Sequence, residues 1–404
     1  MMDRRRSDRL GRYYTQETIA ALLVSSMNVT APKTVIDLGA GDGTLIGEAA
    51  KRWRAARYVT VDIDAGAGSG RLPTLHGSAF RHYTGDALDS RLSDHLGVPW
   101  GDACVAVCNP PYIKPRWRQH FRSILEDVGL DHVLPRAEDI PADVLFVAQN
   151  LRLLKKGGRL GLIIPDGLVA GERFAAFRRT LVERHAIDQV IELPRNIFSR
   201  TEAKAHIVVL TKATAQRADI AVRKLEPAGQ LSSPMLVAPE RAIQRLDYSY
   251  YTALAVPPTK RRRSPVRLAD LTRSVERGNY SSRSLRDVTF PVFHTTHLLE
   301  GVEKVPRSFV LPKIHRNRVN GVTARTGDIL VARVGRNLSK KICQVARGPV
   351  VVSDCFLVVR ANPGDRDRLF ALLTSSRGRA ALDAVAHGVG ARFITPSALL
   401  GLSL

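Results

Sequence analysis

The sequence predicts an α/β fold in its first half, a largely parallel sheet wound with helices on both faces, followed by a smaller β-rich (α+β) domain. Three observations carry that prediction. An apolar run breaks into a glycine loop at residues 34–45, later apolar runs each end in an acid or an amide, and beyond residue 213 short apolar runs follow one another closely. Strands covered on both faces read as continuous Val/Ile/Leu runs. In such a sheet the residues beyond the carboxyl ends of the strands gather at one edge, where ligands bind.

The first element is Thr34-Val35-Ile36-Asp37-Leu38-Gly39-Ala40-Gly41-Asp42-Gly43-Thr44-Leu45, a strand, a turn and the start of a helix. Glycines let the backbone approach a ligand without a Cβ between them. A dinucleotide site uses such a turn to cradle pyrophosphate at a helix N-terminus. Asp37 and Asp42 instead put negative charge on this loop, which disfavours phosphate and suits a cation; Asp37, Gly39 and Gly41 are the candidate binding residues. The second strand, Tyr58 to Asp64, ends in acid about twenty residues further on, where a carboxylate can take both hydroxyls of a ribose. Asp62 is the candidate. In Tyr83-Thr84-Gly85-Asp86-Ala87-Leu88, Asp86 is placed to accept from an adenine amino group. Singly, each acid reads equally well as a solvated strand-end residue; their order along the chain argues for a site.

Residues 105–112 read Val-Ala-Val-Cys-Asn-Pro-Pro-Tyr. A planar amino nitrogen, on adenine or on a carboxamide, has its lone pair delocalised, and an enzyme that alkylates it must accept both N–H bonds to localise the pair. The side-chain oxygen of Asn109 and a backbone carbonyl between Pro110 and Pro111 suit that task, because proline stiffens the turn and removes a competing donor. Tyr112 offers an aromatic face for a flat group. A plain strand followed by a proline turn is the alternative.

Taken together, these strings resemble the gamma-class DNA adenine N6-methyltransferases, including the modification subunits of type I restriction systems, over roughly residues 11–212. Gly11-Arg12-Tyr13-Tyr14-Thr15 is similar to the family's N-terminal cofactor motif, with Gln16 where the family continues in proline. Leu154 to Pro165 matches the helix end, glycine turn and strand after the catalytic loop. Asn196-Ile197-Phe198, before the strand His206 to Leu210, is similar to the segment whose Phe packs on a flipped base, although Phe198 also fits an ordinary core aromatic. The resemblance implies a Rossmann-like S-adenosylmethionine-dependent methyltransferase domain, with Tyr14 and Thr15 joining the cofactor residues and Tyr112 and Phe198 stacking on the base. It also implies methyl transfer to N6 of an adenine flipped out of duplex DNA. Extrusion costs a few kcal/mol, and stacking returns roughly 1–3 kcal/mol per aromatic.

Lys and Arg number 61 against 38 Asp and Glu, a formal net charge of +23 that points to a polyanion such as double-stranded DNA. No apolar run is long enough to span a membrane. The basic start Met1 to Arg6 lacks the apolar region of a signal peptide, so a cytoplasmic protein is expected. Four cysteines in two loose pairs fit reduced thiols, with no metal site expected. A monomer or weak dimer is expected, with restriction or defence-system proteins as further partners.

The αβ alternation ends near residue 213, giving domains at 1–230 and 265–404 joined by a linker at 231–264 that carries Lys260-Arg261-Arg262-Arg263 between prolines. That basic run suits DNA phosphates or a solvated surface. Strands are expected at 290–293, 328–334, 350–352 and 355–359. Val275-Glu276-Arg277-Gly278, Thr326 to Val331, Val352-Ser353-Asp354-Cys355 and Ile394-Thr395-Pro396 are similar to a target-recognition domain of a type I specificity subunit. That resemblance implies DNA contacts, for which Arg277, Arg333 and Arg336 are the candidates. The chain stops before the long spacer helix of such subunits, as a self-contained enzyme would.

Three other functions remain open. Protein glutamine N5-methyltransferases share Asn109 to Ile113, but only some 35 residues precede the glycine loop here, few for their substrate domain. RNA adenine N6-methylation is the second, and a DNA-binding protein whose catalytic site has decayed the third.

Overall fold

The computed structural model describes residues 15–66, 79–195, 197, 204–255, 266–281, 283–388 and 391–403, and it divides into two compact units, Met1–Tyr248 and Ser249–Leu404.

The first unit is built on a nine-stranded sheet. Its strands are β1 (Thr34–Leu38), β2 (Arg57–Asp62), β3 (Phe80–Thr84), β4 (Ala103–Cys108), β5 (Leu154–Pro165), β6 (Ala186–Glu192), β7 (Ala205–Thr211), β8 (Ile220–Lys224) and β9 (Met235–Val237), in the order β3-β2-β1-β4-β5-β7-β6-β8-β9. β1 to β5 pair in parallel, and β7 runs antiparallel between β5 and β6. The strand order reverses at β1 and β4, so the chain leaves the sheet on opposite sides there and opens a crevice at the carboxyl edge.

Helices α1 (Glu17–Ser26) and α2 (Thr44–Arg52) bury Ile19, Leu23, Ile46 and Ala49, with Met27 just past α1, in one cluster with Val35, Val105, Val107, Ile163 and Ile207 of the sheet. α1 lies so close to β5 that a Cβ at Gly161 would fall 2.8 Å from Leu23 Cδ2 and 2.9 Å from Met27 Sδ. The alternate residues Ile36, Leu38, Ala106 and Cys108 are equally buried, as a sheet covered on both sides requires. Beyond α3 (Leu92–Leu96) and α4 (Phe121–Glu126), helix α5 (Ala142–Leu153) buries every residue except Arg152. No helix among the described residues is long and apolar enough to cross a membrane.

Past residue 213 the structure departs from the sequence reading. β8 pairs with β6 and β9 with β8, extending the sheet by two short strands set among polar residues, with β9 at its edge. Residues 231–255, expected to be linker, hold β9 and helices at Pro239–Ala242 and Tyr248–Ala255. The basic run at 260–263 lies outside the described residues.

The second unit carries a four-stranded antiparallel sheet of β10 (Thr272–Arg277), β17 (Phe356–Ala361), β13 (Ile329–Ala332) and β15 (Ile342–Gln344), in that order. β11 (Val292–Phe293), β16 (Val350–Val352) and β12 (Thr323–Ala324) form a smaller sheet, and β14 (Val334–Gly335) pairs with β18 (Arg392–Phe393). Two expected strands are shorter: 290–293 pairs only at Val292–Phe293, and 328–334 breaks at Arg333. Leu330, Phe356 and Val358 pack with Leu369, Leu373 and Leu382 of two C-terminal helices.

Candidate active site

At the carboxyl edge of the first sheet one cleft is lined by Gly39, Ala40, Gly41 and Asp42 after β1, Asp62 and Ile63 at the end of β2, and Asp86 to Leu88 after β3. Asn109, Pro111 and Ile113 after β4 complete it, with Thr15 from ahead of α1 and Ala142 and Phe146 from α5.

The glycine loop turns through left-handed backbone, with φ of +76° at Gly39 and +56° at Gly41. A Cβ at Gly39 would lie 3.2 Å from Phe146 Cε1, so the Phe146 ring would have to give by a few tenths of an ångström to admit one. Gly39 N–H donates to the Val61 carbonyl at 2.8 Å, and Gly41 N–H to Asp62 Oδ2 at 2.8 Å. Asp62 Oδ1 accepts from Asp64 N–H at 2.9 Å. A carboxylate with one backbone donor on each oxygen still has a lone pair on each for a pair of hydroxyls. Asp42 Oδ1 accepts from the backbone N–H and hydroxyl of Thr44, at 3.2 and 2.7 Å, and so opens α2.

Asp37 is absent from the wall of the cleft. It is wholly buried within β1, and neither of its oxygens has a hydrogen-bond partner among the described residues. Burial, then the charges of Asp62 and Asp42, hold its carboxyl well above the usual range and favour the neutral acid. The expectation that Asp37 lends negative charge to the loop is therefore corrected. Asp42, Asp62 and Asp86 are the acids lining the cleft.

Asp86 Oδ1 accepts from Leu88 N–H at 2.8 Å, while Oδ2 is paired with Arg118, whose guanidinium sits 4.7 Å from the centroid of the Phe121 ring. Arg118 and Phe146 line the cleft, yet no motif or spacing singles them out, since their places depend on how the post-β4 loop and α5 fold back. Asn109 is half-buried, and its Nδ2 donates to Thr15 Oγ1 at 3.1 Å; this contact orients the carboxamide so that its oxygen is the end that can accept. Pro110 is buried behind the loop, and Tyr112 donates its hydroxyl to the Ile163 carbonyl at 3.3 Å, fastening the tetrapeptide to β5. Neither lines the cleft. Gln16 donates Nε2 to the Ile197 carbonyl at 2.7 Å, joining the start of α1 to the segment that precedes β7. Tyr14 and Phe198 lie outside the described residues.

Beside this edge lies a buried ionic cluster that sequence spacing did not suggest. Lys204 Nζ stands 3.1 Å from Glu192, 3.5 Å from Asp166 and 3.9 Å from Asp247, and His206 Nε2 is 2.9 Å from Asp166. Burial alone would lower the Lys204 ammonium; the three acids hold it above its ordinary value.

In the second unit two candidate arginines converge on one residue. Arg277 Nη2 donates to Asp354 Oδ2 at 2.8 Å, and Arg333 Nε donates to the Asp354 carbonyl at 2.6 Å. Arg336 lines a separate hollow with Thr296, Leu299 and Asn337. No group of three or more His, Cys, Asp or Glu residues among the described residues is placed to hold a metal ion.

The family model described as N-6 DNA Methylase matches residues 2–226. The methylase subunit of the type I restriction enzyme MpnII of Mycoplasma pneumoniae is 33% identical over 110 residues, covering 27% of this chain and 20% of that protein. A tRNA1(Val) (adenine(37)-N6)-methyltransferase of Porphyromonas gingivalis is 30% identical over 169 residues, covering 40% of this chain and 61% of its own. Matches to these curated relatives therefore span from a fifth to three fifths of their lengths. Among solved structures, the type IIL restriction-modification enzyme MmeI in complex with DNA aligns over 99% of this chain and 69% of its own, with a TM-score of 0.58 and 14% identity, a likeness of fold.

Proposed function

Because the chain belongs to the N-6 DNA Methylase family, we propose that it transfers a methyl group from S-adenosylmethionine to N6 of a specific adenine in double-stranded DNA, within a restriction-modification or phage-defence setting. The observation that carries this reading is the single cleft that sets Asn109 and Pro111 beside Gly39, Gly41, Asp62 and Asp86. Its residues fit the cofactor. Asp62 can take the ribose hydroxyls, Asp86 the adenine amino group once Arg118 yields, and Phe146 and Ile63 offer apolar surface. Asp42 and Asp62, both on the wall of the cleft, bring the negative charge that suits a cationic group close to the loop.

When bound, the cofactor supplies a methyl group on a positively charged sulfur. The remaining work belongs to the chain. Asn109, oriented by Thr15, accepts one N6 hydrogen through its amide oxygen, and the Pro110 carbonyl accepts the other. Tyr112, held by Ile163, stacks on the extruded base, with Phe198 as a second stacking residue. No metal and no general base enter, because the alkylated nitrogen is acidic enough to release its proton to water.

We assign DNA reading to the second unit, with residues 265–404 as the target-recognition domain. Residues 249–404 carry 26 Lys and Arg against 10 Asp and Glu, so 16 of the formal +23 charges lie there. Neutralised phosphates supply most non-specific affinity. Arg277, Arg333 and Arg336 are the candidate contact residues, and Arg277 and Arg333 meet at Asp354. The protein acts in the cytoplasm, as a monomer or weak dimer. Incubation with radiolabelled S-adenosylmethionine and, separately, genomic DNA, transfer RNA and protein extract tests the substrate class. Label in DNA alone is expected; label in RNA or protein alone overturns the assignment.

A further inference from the structure

The second unit has a satellite core of its own, apart from the main one. Phe290, Val292, Leu311 and Val351 are buried together, and Tyr280, Leu285, Val288 and Val319 pack against them. Between two of these anchors, Leu311 and Val319, the chain makes the short 3-10 segment Lys313–Arg318. Leu311 N–H donates to the Pro349 carbonyl at 2.8 Å, and His315 leans on Phe290, with ring centroids 6.1 Å apart. The segment is thus fastened at both ends and in its middle.

Lys313, Arg316, Asn317 and Arg318 all face solvent from this mount, and so does Ile314, which is 80% exposed. A lone exposed aliphatic is unremarkable on most surfaces. Here it stands on a fixed turn among three cations, and a repulsive cationic surround suits neither a fold core nor a cationic protein. It matches the composition of side chains that wedge into duplex DNA, an aliphatic tip flanked by Arg, Lys and Asn that hold the two strands' phosphates and groove edges.

We propose that the Lys313–Arg318 turn docks on duplex DNA and that Ile314 enters a base step from the minor groove, with Arg316 and Arg318 holding the flanking phosphates. This rests on the DNA-methylation reading. Partial unstacking at that step bends the duplex and adds sequence dependence at a base pair that receives no hydrogen bond.

The test uses the full chain and a duplex bearing the sequence that methylation sequencing identifies, labelled at both ends for energy transfer and carrying 2-aminopurine at successive positions. The wild-type protein is expected to bend the duplex and brighten 2-aminopurine at one step. Ile314→Ala should abolish both signals and weaken binding roughly tenfold, the scale of losing most of a buried aliphatic side chain, with the salt dependence unchanged. Ile314→Leu should restore them. Arg316→Gln and Arg318→Gln should instead each lower the salt slope by about one while keeping the 2-aminopurine signal. Circular dichroism matching the wild type confirms that the variants fold. If Ile314→Ala bends and binds like the wild type, the inference fails while the functional reading stands. If no methylated sequence emerges at all, both fail.

Discussion

Replacing Asn109 by alanine separates chemistry from cofactor binding. The side chain lies in the same cleft as Asp62 and Asp86, but its amide nitrogen bonds Thr15, and its proposed duty is to the reacting nitrogen. Removing a preorganised polar contact of this kind commonly costs about 10²–10³ in kcat, while affinity for S-adenosylmethionine should stay within about threefold of wild type, a shift of well under 1 kcal/mol. The Thr15 hydroxyl provides an internal scale. Thr15→Val deletes one neutral hydrogen bond worth about 1 kcal/mol, so it should slow turnover roughly fivefold by letting the carboxamide turn. In Asn109→Ala the same valine should add almost nothing, because the group it orients is gone. Single-turnover methylation of DNA gives the rates and titration calorimetry the affinities. The reasoning is refuted if Asn109→Ala loses cofactor binding together with turnover, or if the two substitutions are additive.

Asp62→Ala should weaken S-adenosylmethionine first, by at least tenfold, since each charge-assisted bond contributes about 1.5–3 kcal/mol; unchanged affinity in calorimetry rules out the ribose role. Gly39→Ala places a methyl group against Phe146 in left-handed backbone that costs about 1–2 kcal/mol for an L-residue, and adding Phe146→Leu should recover the contact part alone, as read by denaturant melts and cofactor affinity. Asp143, at the start of α5, has its carboxyl pushed by burial from 3.8 to about 7. The folded protein therefore keeps a proton that the unfolded chain releases near pH 4, and this group's contribution to stability falls as pH rises from about 4 to about 7, by about 1.4 kcal/mol per unit at most. Asp143→Asn should flatten that slope and be the more stable protein at pH 8; an unaltered slope refutes the assignment.

Local pattern revealed the parts of the site that a strand and its turn determine by themselves. The glycine loop, Asp62, Asp86 and Asn109 each follow a strand of the sheet, and strand order alone brings them to one edge. Long-range packing decided the rest. Whether Asp37 faces ligand or core depends on which side of β1 the helices cover, and a five-residue apolar strand buried on both faces does not say. Arg118 reaches Asp86 only because the loop after Tyr112 folds back, and Phe146 reaches Gly39 only because α5 crosses beneath it. Likewise Arg277 and Arg333 meet Asp354 across three separate stretches of chain. The strands β8 and β9 were hidden because their apolar runs are only a few residues long and are set among polar residues. Gln16 in place of proline marked a departure whose structural consequence, a hydrogen bond to Ile197, lies 181 residues away.

The proposed activity is methylation of adenine N6 at a defined DNA sequence. It is tested most directly by methylation-sensitive sequencing of DNA from cells that express the protein, beside cells that express Asn109→Ala. N6-methyladenine is expected at one recurring sequence with the wild-type protein and none with the variant. Unmodified adenine in both, or equal modification in both, would contradict it.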